Sequence, residues 1–471
     1  MRAKNVCIVF IVILFAHNCK GSKLISIKNS PSLGANCCFH DYFPPNCILS
    51  MHQSSFFLFI KTLQTLVSCS INQFKYSFIR NNMIRCHETQ EEGDWSHEDH
   101  QISISQAFHQ CIATLVGHTS SYISSLTLAG KRLYTGSSDG LVRLWDANSM
   151  ETLAEASSNG DVITGERGDG GAVKSLVILA DKLFTAHQDQ KIRVWKINDV
   201  VEEAEASNKK YMHIATMPTM SDRLAKCLMP NNQVQIRRHK KASWVHHVDA
   251  VSGLALSRDG ALLYSVSWDR TLKIWRTTDF KCLESITNAH EDAINAVELS
   301  ENGDIYTGSS DRKIKVWRKK NLDEEKKKKN KHYLVATLSE QDSGINALAL
   351  SSYNLLYSGG SDGSILVWER DHEGGDIAVA GGLRGHTESV LCLAVVSDIV
   401  CSGSADKTVR LWKCSLADYS CLAVLEGHRG PVKCLTGAIR DSGTQSEASY
   451  HIYSGGLDSQ VKVWQILVPT L

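Results

Sequence analysis

Leu133 to Trp145 reads LYTGSSDGLVRLW, and this stretch sets the architecture of the whole chain. It opens on a short apolar strand and places Thr135 four residues before Asp139. A tight turn at Asp139-Gly140 follows, then an alternating strand that ends in Trp145. The same frame, Asp followed six residues later by Trp, returns at Asp189/Trp195, Asp269/Trp275, Asp311/Trp317, Asp362/Trp368, Asp406/Trp412 and Asp458/Trp464. Four residues before each of these later Asp stands another hydroxyl: Thr185, Ser265, Thr307, Ser358, Ser402 and Ser454. Three fixed positions recurring seven times define a repeat protein.

The spacing has a chemical reason. Side chains alternate faces along a strand, so a hydroxyl on one strand and an indole on the next converge on the turn carboxylate. The Asp is expected to accept from the Ser/Thr hydroxyl and from a His one strand earlier, and that His to reach on to the Trp N–H. The upstream histidines are His118, His247, His290, His386 and His428. Each charge-assisted bond of this kind contributes roughly 1.5–3 kcal/mol. The second repeat has Gly170-Gly171 and the fifth Gln341-Asp342 at the His position, so these two blades are expected to be softer.

These residues resemble the WD40 family: Gly117-His118, Gly385-His386 and Gly427-His428 match its Gly-His signature, and Trp145-Asp146 its terminal dipeptide. Successive Trp lie 42 to 52 residues apart, with one interval of 80, which fits four strands per propeller blade. The expected fold is all-β, a single seven-bladed WD40 β-propeller over 105–467 behind a largely unstructured N-terminal extension, 1–104. Cys111 to His118 (CIATLVGH) parallels Cys421 to His428 (CLAVLEGH), an outermost strand leading into the next repeat. No blade precedes the first copy, so residues 111–115 are expected to complete the seventh blade and close the ring.

Composition bounds the function. The chain has 471 residues, is 43% hydrophobic and carries a formal charge of +1, which argues against direct nucleic-acid binding. The 15 cysteines are scattered, with no C-x-x-C spacing of a zinc site, and read as reduced, buried thiols. Before the repeats, an apolar leader spans 5–16 and has the length of a secretory signal rather than a membrane span. Against secretion stand the lack of an Asn-x-Ser/Thr sequon and of a disulfide framework. The expectation is cytoplasm and/or nucleus, with secretion or membrane association following only if the leader is genuine. A low-order segment and a polar linker come next. The linker cluster His97, Asp99, His100 and His109 lacks the ligand spacing of a zinc site and reads as solvated. The run DEEKKKKNK (Asp323 to Lys331) reads as a solvated loop, with nuclear import the alternative for Lys326 to Lys329. The Ser/Gly/Thr-rich stretch Arg440 to Ser449 reads as a flexible loop within the last blade.

The long interval is explained by an insertion, 218–249, between the second and third blades. Ahead of Asp249 it holds six basic side chains, Arg223, Lys226, Arg237, Arg238, Lys240 and Lys241, against the single acid Asp222. It also holds Trp244, outside the repeat frame. Two readings stand: a solvated loop pinned down by Trp244, or a basic, aromatic partner-binding patch on the face of the b–c turns and d–a loops. Trp268, directly before Asp269, stands where other blades carry Ser138, Ser310, Ser361 or Ala405 and is the second aromatic candidate.

RRHKKASWVHHVDAVSGLAL (Arg237 to Leu256), HTSSYISSLTLAGKRLYTGSSDG (His118 to Gly140) and YSGGLDSQVKVW (Tyr453 to Trp464) resemble the Jingubang-like WD40 proteins of plants. The resemblance covers roughly 105–467, includes the basic insertion and leaves out the N-terminus. It implies a non-catalytic regulatory adaptor that binds other proteins, transcription regulators among them. A Ser/His/Asp set such as Ser402, His386 and Asp406 recurs in blade after blade, as a structural device does and a single active site does not. No catalytic residue, metal, cofactor or small-molecule substrate is expected, and the propeller is expected to be monomeric. The alternative is a substrate receptor of a cullin-type ubiquitin ligase. The residues after Trp145 (Asp146-Ala147-Asn148) and Trp368 (Glu369-Arg370-Asp371) break its docking pattern at the last position.

Overall fold

The computed structural model describes residues 107–118, 121–147, 161–162, 171–197, 211–227, 233–237, 240–320, 331–370, 375–415, 418–440 and 447–469. The leader at 5–16, the His97/Asp99/His100 cluster, Lys326 to Lys329 and Arg238 lie outside them. His109 is described, within the strand Phe108–Leu115.

Seven four-stranded antiparallel sheets account for nearly all of the described chain. In six of them the strands pair in sequence order a-b-c-d, as in blade three: Val251–Leu256, Leu262–Ser267, Leu272–Arg276 and Cys282–Ile286. The seventh sheet takes Val432–Arg440, Glu447–Gly456 and Val461–Pro469 from the end of the chain, and its outer strand is Phe108–Leu115. The closing register runs from Phe108↔Leu467 to Leu115↔Val461, so the ring is tied three residues earlier than the CIATL motif suggests. Strands a contact one another blade to blade around the axis. Closure of this kind leaves only short sheet edges to manage.

The core lies between blades rather than within one layer. The repeat Trp275, Trp368, Trp412 and Trp464 are at most 3% exposed, each packed beside the β-branched residues of its own or the next blade. Glycine in the Gly-His pairs follows from this packing. A Cβ on Gly117 would stand 2.7 Å from the Trp145 ring, and one on Gly385 would stand 3.1 Å from that of Trp412.

Two stretches differ from expectation. Val432–Arg440 and Glu447–Gly456 pair as far as Arg440↔Ser449, so strand extends into both ends of the Ser/Gly/Thr-rich stretch, whose 441–446 lie outside the described residues. The insertion is structured: a helix, Met220–Cys227, and a hairpin, Gln233–Arg237 with Lys240–Ser243. Thr219 Oγ1 accepts from Asp222 N at 3.3 Å at the helix start. Asp222, 5% exposed, accepts Cys282 N at 2.9 Å, which seats the helix on the outer strand of blade three and not on the turn-bearing face. No helix among the described residues is long and apolar enough to cross a membrane.

Candidate functional site

The b–c turns, one per blade, define one face. In every turn Asp Oδ1 accepts the N–H two residues on, from Leu141 at 3.0 Å, Lys191 at 3.3 Å, Thr271 at 2.9 Å, Lys313 at 3.0 Å, Ser364 at 3.2 Å, Thr408 at 2.9 Å and Gln460 at 3.2 Å. The intervening residue takes a positive φ in all seven, filled by Gly140, Gln190, Arg270, Arg312, Gly363, Lys407 and Ser459. A short carboxylate folds back on its own turn in this way, and the longer Glu side chain would overshoot.

The second oxygen reaches the histidine. Nδ1 of His247, His290, His386 and His428 lies 3.1, 2.9, 2.8 and 2.9 Å from Oδ2 of Asp269, Asp311, Asp406 and Asp458. Their Nε2 atoms lie 2.8, 2.8, 2.7 and 2.8 Å from the hydroxyls of Ser265, Thr307, Ser402 and Ser454. The indoles of Trp275, Trp317, Trp412 and Trp464 donate to those same hydroxyls at 2.8, 3.0, 2.8 and 2.8 Å. The wiring therefore differs from the expected one. Histidine bridges Asp to the hydroxyl, and the hydroxyl, not histidine, receives the Trp N–H.

Protonation follows from geometry and burial. Burial alone would raise the Asp406 carboxyl, but bonds from Thr408 and His386 together hold it below the usual range. Asp311 is brought down to about 2 against the same burial penalty, by bonds from His290 and the Glu291 N–H. Burial holds His386 below its ordinary value despite Asp406, and acts likewise on His247. An ionised carboxylate only accepts, so Nδ1 carries the proton, Nε2 accepts the hydroxyl proton, and the oxygen lone pair takes the indole N–H. Ser402, the hydroxyl of the Ser/His/Asp set, is fully buried with both sides occupied, so no substrate reaches it.

Three blades solve the problem differently. In blade one, His118 Nε2 lies 2.9 Å from Thr135 Oγ1, which also accepts from Trp145 at 3.0 Å. His118 does not bond Asp139, which accepts from Ser121 at 2.9 Å and from Ser137. In blade two, His187 stands in for the missing upstream imidazole, 2.8 Å from Thr185 Oγ1, and Trp195 donates to that hydroxyl at 3.2 Å. Asp189 there turns outward to Arg193, with Nη2 at 2.7 Å and Nη1 at 3.2 Å. In blade five, Ser358 donates to Gln341 Oε1 at 2.6 Å and accepts from Trp368 at 2.8 Å, and Asp362 is held by Ser343 and Ser364. Sequence reading missed His187 and took Gln341 for a lost partner, whereas its Oε1 accepts from the blade-five hydroxyl. The signal for His187 was present, because two residues after Thr185 is the same face of one strand.

The partner-binding candidates separate. Arg237, Lys240 and Lys241 are strand residues of the insertion hairpin. Trp244 is half-buried against the core between blades two and three, and its carbonyl accepts Lys273 Nζ at 2.6 Å. That lysine, 1% exposed, also donates to Ser285 at 2.6 Å, so Trp244 is part of what fastens the insertion. Trp268 is 39% exposed, with Lys174 Nζ 5.2 Å from its ring centroid. Leu457, in the same frame position of blade seven, is 43% exposed and was also missed. Among the described residues no cluster of His, Cys, Asp and Glu is arranged to hold a metal ion.

The model of the WD domain, G-beta repeat, matches 109–146, 239–276, 280–318, 332–369, 379–413 and 419–465. Blade two, whose Asp and His depart most from the others, falls in the gap between the first two matches. A zinc finger CCCH domain-containing protein, number 62, of Arabidopsis thaliana is 30% identical over 188 residues, 39% of this chain and 41% of that one. An uncharacterized WD repeat-containing protein of Schizosaccharomyces pombe is 28% identical over 45% of this chain and 60% of its own length. The chain thus spans about half the length of these relatives. In three dimensions it is similar to the WD40 β-propeller domain of Doa1, with a TM-score of 0.52 and 20% identity over 76% of this chain and 96% of that one. The repeat frame, the closed ring of seven sheets and these matches together place the chain in the WD40-repeat β-propeller family.

Proposed function

We propose that this propeller is a non-catalytic regulatory adaptor that docks other proteins on the face of its b–c turns and d–a loops. The observation that carries the reading is Trp268: a large aromatic left 39% exposed at a turn position where other blades hold Ser138, Ser310, Ser361 or Ala405. Nothing in the blade requires an indole there, and Trp is the residue type that anchors interfaces most often. The basic side chains Arg237, Arg238, Lys240 and Lys241 steer an acidic partner, an effect that salt weakens. The resemblance to Jingubang-like proteins points to transcription regulators or growth-signalling proteins of a plant cell as partners, in cytoplasm or nucleus.

Affinity purification tests this with two variants, Trp268→Ala and reversal of the four basic residues to Glu. The thermal midpoint is expected to move little while partner recovery collapses in both. Undiminished recovery with the charge-reversed protein rejects this face. Cullin-adaptor subunits among the recovered proteins would support the ubiquitin-ligase reading instead.

A further inference from the structure

All seven inner strands carry a bulge at the second residue, where the register slips between the first and third: Ser124, Lys174, Ser252, Asn295, Asn346, Leu391 and Lys433. A bulge re-aims the side chain it carries. In four blades that side chain has a structural task. Asn295 donates to Ile345 O at 2.8 Å and Asn346 to Val390 O at 3.0 Å, each stitching its blade to the first residue of the next inner strand. Ser124 and Ser252 make the same link, to Val173 O and Ile294 O. Asn295 also donates to Ser310 at 3.0 Å and Asn346 to Ser361 at 3.2 Å, so these bulges stand beside the b–c turns, at the axis end of the face.

Lys174 and Lys433 hold this position in blades two and seven, on either side of blade one, and take no part in the stitching. Lys191, Lys313 and Lys315 of the face are satisfied, by Asp189, Glu291 and the Ala289 carbonyl. Lys174 and Lys433 have no ion pair or hydrogen bond among the described residues. Exposed carboxylates stand on the same face, among them Asp249, Asp292 and Glu388, yet none closes on either ammonium. Lys174 is half-buried, and burial and then the neighbouring Lys433 charge lower its pKa. Two cations at equivalent bulges on either side of blade one, neither with a counter-charge, are relieved by an anion placed between them. The aromatic ring that Lys174 lies against is Trp268, and Leu457 stands exposed in blade seven.

We propose that Lys174 and Lys433 form an anion-binding pair at the axis end of the turn-bearing face, which grips an acidic side chain of an extended protein segment while Trp268 meets an apolar residue beside it. The inference rests on the reading of this face as the docking surface and names what it selects.

The test uses the full chain with its lysines reductively dimethylated with carbon-13, which keeps the charge and gives each lysine an NMR signal. Lys174→Arg and Lys433→Arg assign the two signals, and Lys320 and Lys331 serve as exposed controls. The probes are a hexaglutamate peptide, a hexaglutamine peptide and inorganic phosphate. The expected result is saturable movement of both signals with hexaglutamate, none with hexaglutamine, and no comparable movement of the controls. In Lys433→Met the Lys174 response should weaken roughly tenfold or more, the loss of one charge-assisted contact. Movement with phosphate but not with hexaglutamate would overturn the peptide specificity, and silence with both would overturn the site. Partner recovery separates the two readings. Full recovery with Lys174→Met/Lys433→Met but loss with Trp268→Ala rejects the lysine pair and keeps the face. Full recovery with both rejects the face as well.

Discussion

Asp406 and Asp189 occupy the same frame position and do different jobs. Asp406 takes His386 Nδ1 at 2.8 Å, Thr408 Oγ1 at 2.7 Å, and the N–H groups of Thr387 and Thr408 at 3.2 and 2.9 Å. Asp189 holds its own turn and pairs with Arg193, both half-buried, with no histidine among its partners. Asp406→Ala strands several buried donors and should cost about 3 kcal/mol or more. Asp189→Ala should cost roughly 1 kcal/mol. Denaturant midpoints compare them, and equal shifts would refute the assignment. Acid sensitivity follows from two other residues. Burial, then the Arg143 charge, lowers His118 to about 4, and burial and then Arg193 bring His187 to about 4. Both bind protons more tightly in the unfolded chain, so their contribution is complete above pH ~6.5 and is lost as pH falls towards ~4. Fully protonated, each costs on the order of 3 kcal/mol. Stability measured across that window should fall with acid in the wild type and fall less in His187→Gln.

At the scale of the element, the closing strand Phe108–Leu115 is the most exposed to test. It covers the strand that carries Val461, Val463, Trp464 and Ile466, none more than 3% exposed. Removing residues 1–105 should leave a cooperative melt, whereas removing 1–117 should abolish it, because a buried strand becomes an apolar edge. A cooperative melt in the shorter chain would contradict closure. Strands and turns were legible because Asp, hydroxyl and Trp recur at fixed spacing, and spacing is what a strand–turn–strand unit constrains. The second partner of each hydroxyl was less so: the imidazole arrives from the loop in five blades but from strand b at His187, and Gln341 replaces it in blade five. A non-repeating segment carries no such constraint. The basic composition of the insertion could be read, but no spacing announces that Asp222 accepts Cys282 N and so seats the helix on the outer strand of blade three. Lys174 and Lys433 stood out only once the bulges aligned the seven inner strands.

At the largest scale, the seven sheets of the described residues form a ring whose polar tetrads fix the turns and whose turn-bearing face is left with side chains the fold does not use. Trp268, Leu457, Lys174 and Lys433 are such a set, and the docking reading predicts that a partner covers them. The opposite face carries the a–b turns, among them Gly130-Lys131 and Asp259-Gly260. Hydrogen–deuterium exchange on the complex with a recovered partner separates the two faces in one experiment. The account predicts slowed exchange in the b–c turns around Ser138–Leu141 and Trp268–Thr271 and in the lead-in Trp244–Ala250, with the a–b turns unchanged. Protection confined to the a–b turns or to the outer strands, with Trp268–Thr271 exchanging as in the free protein, would contradict it.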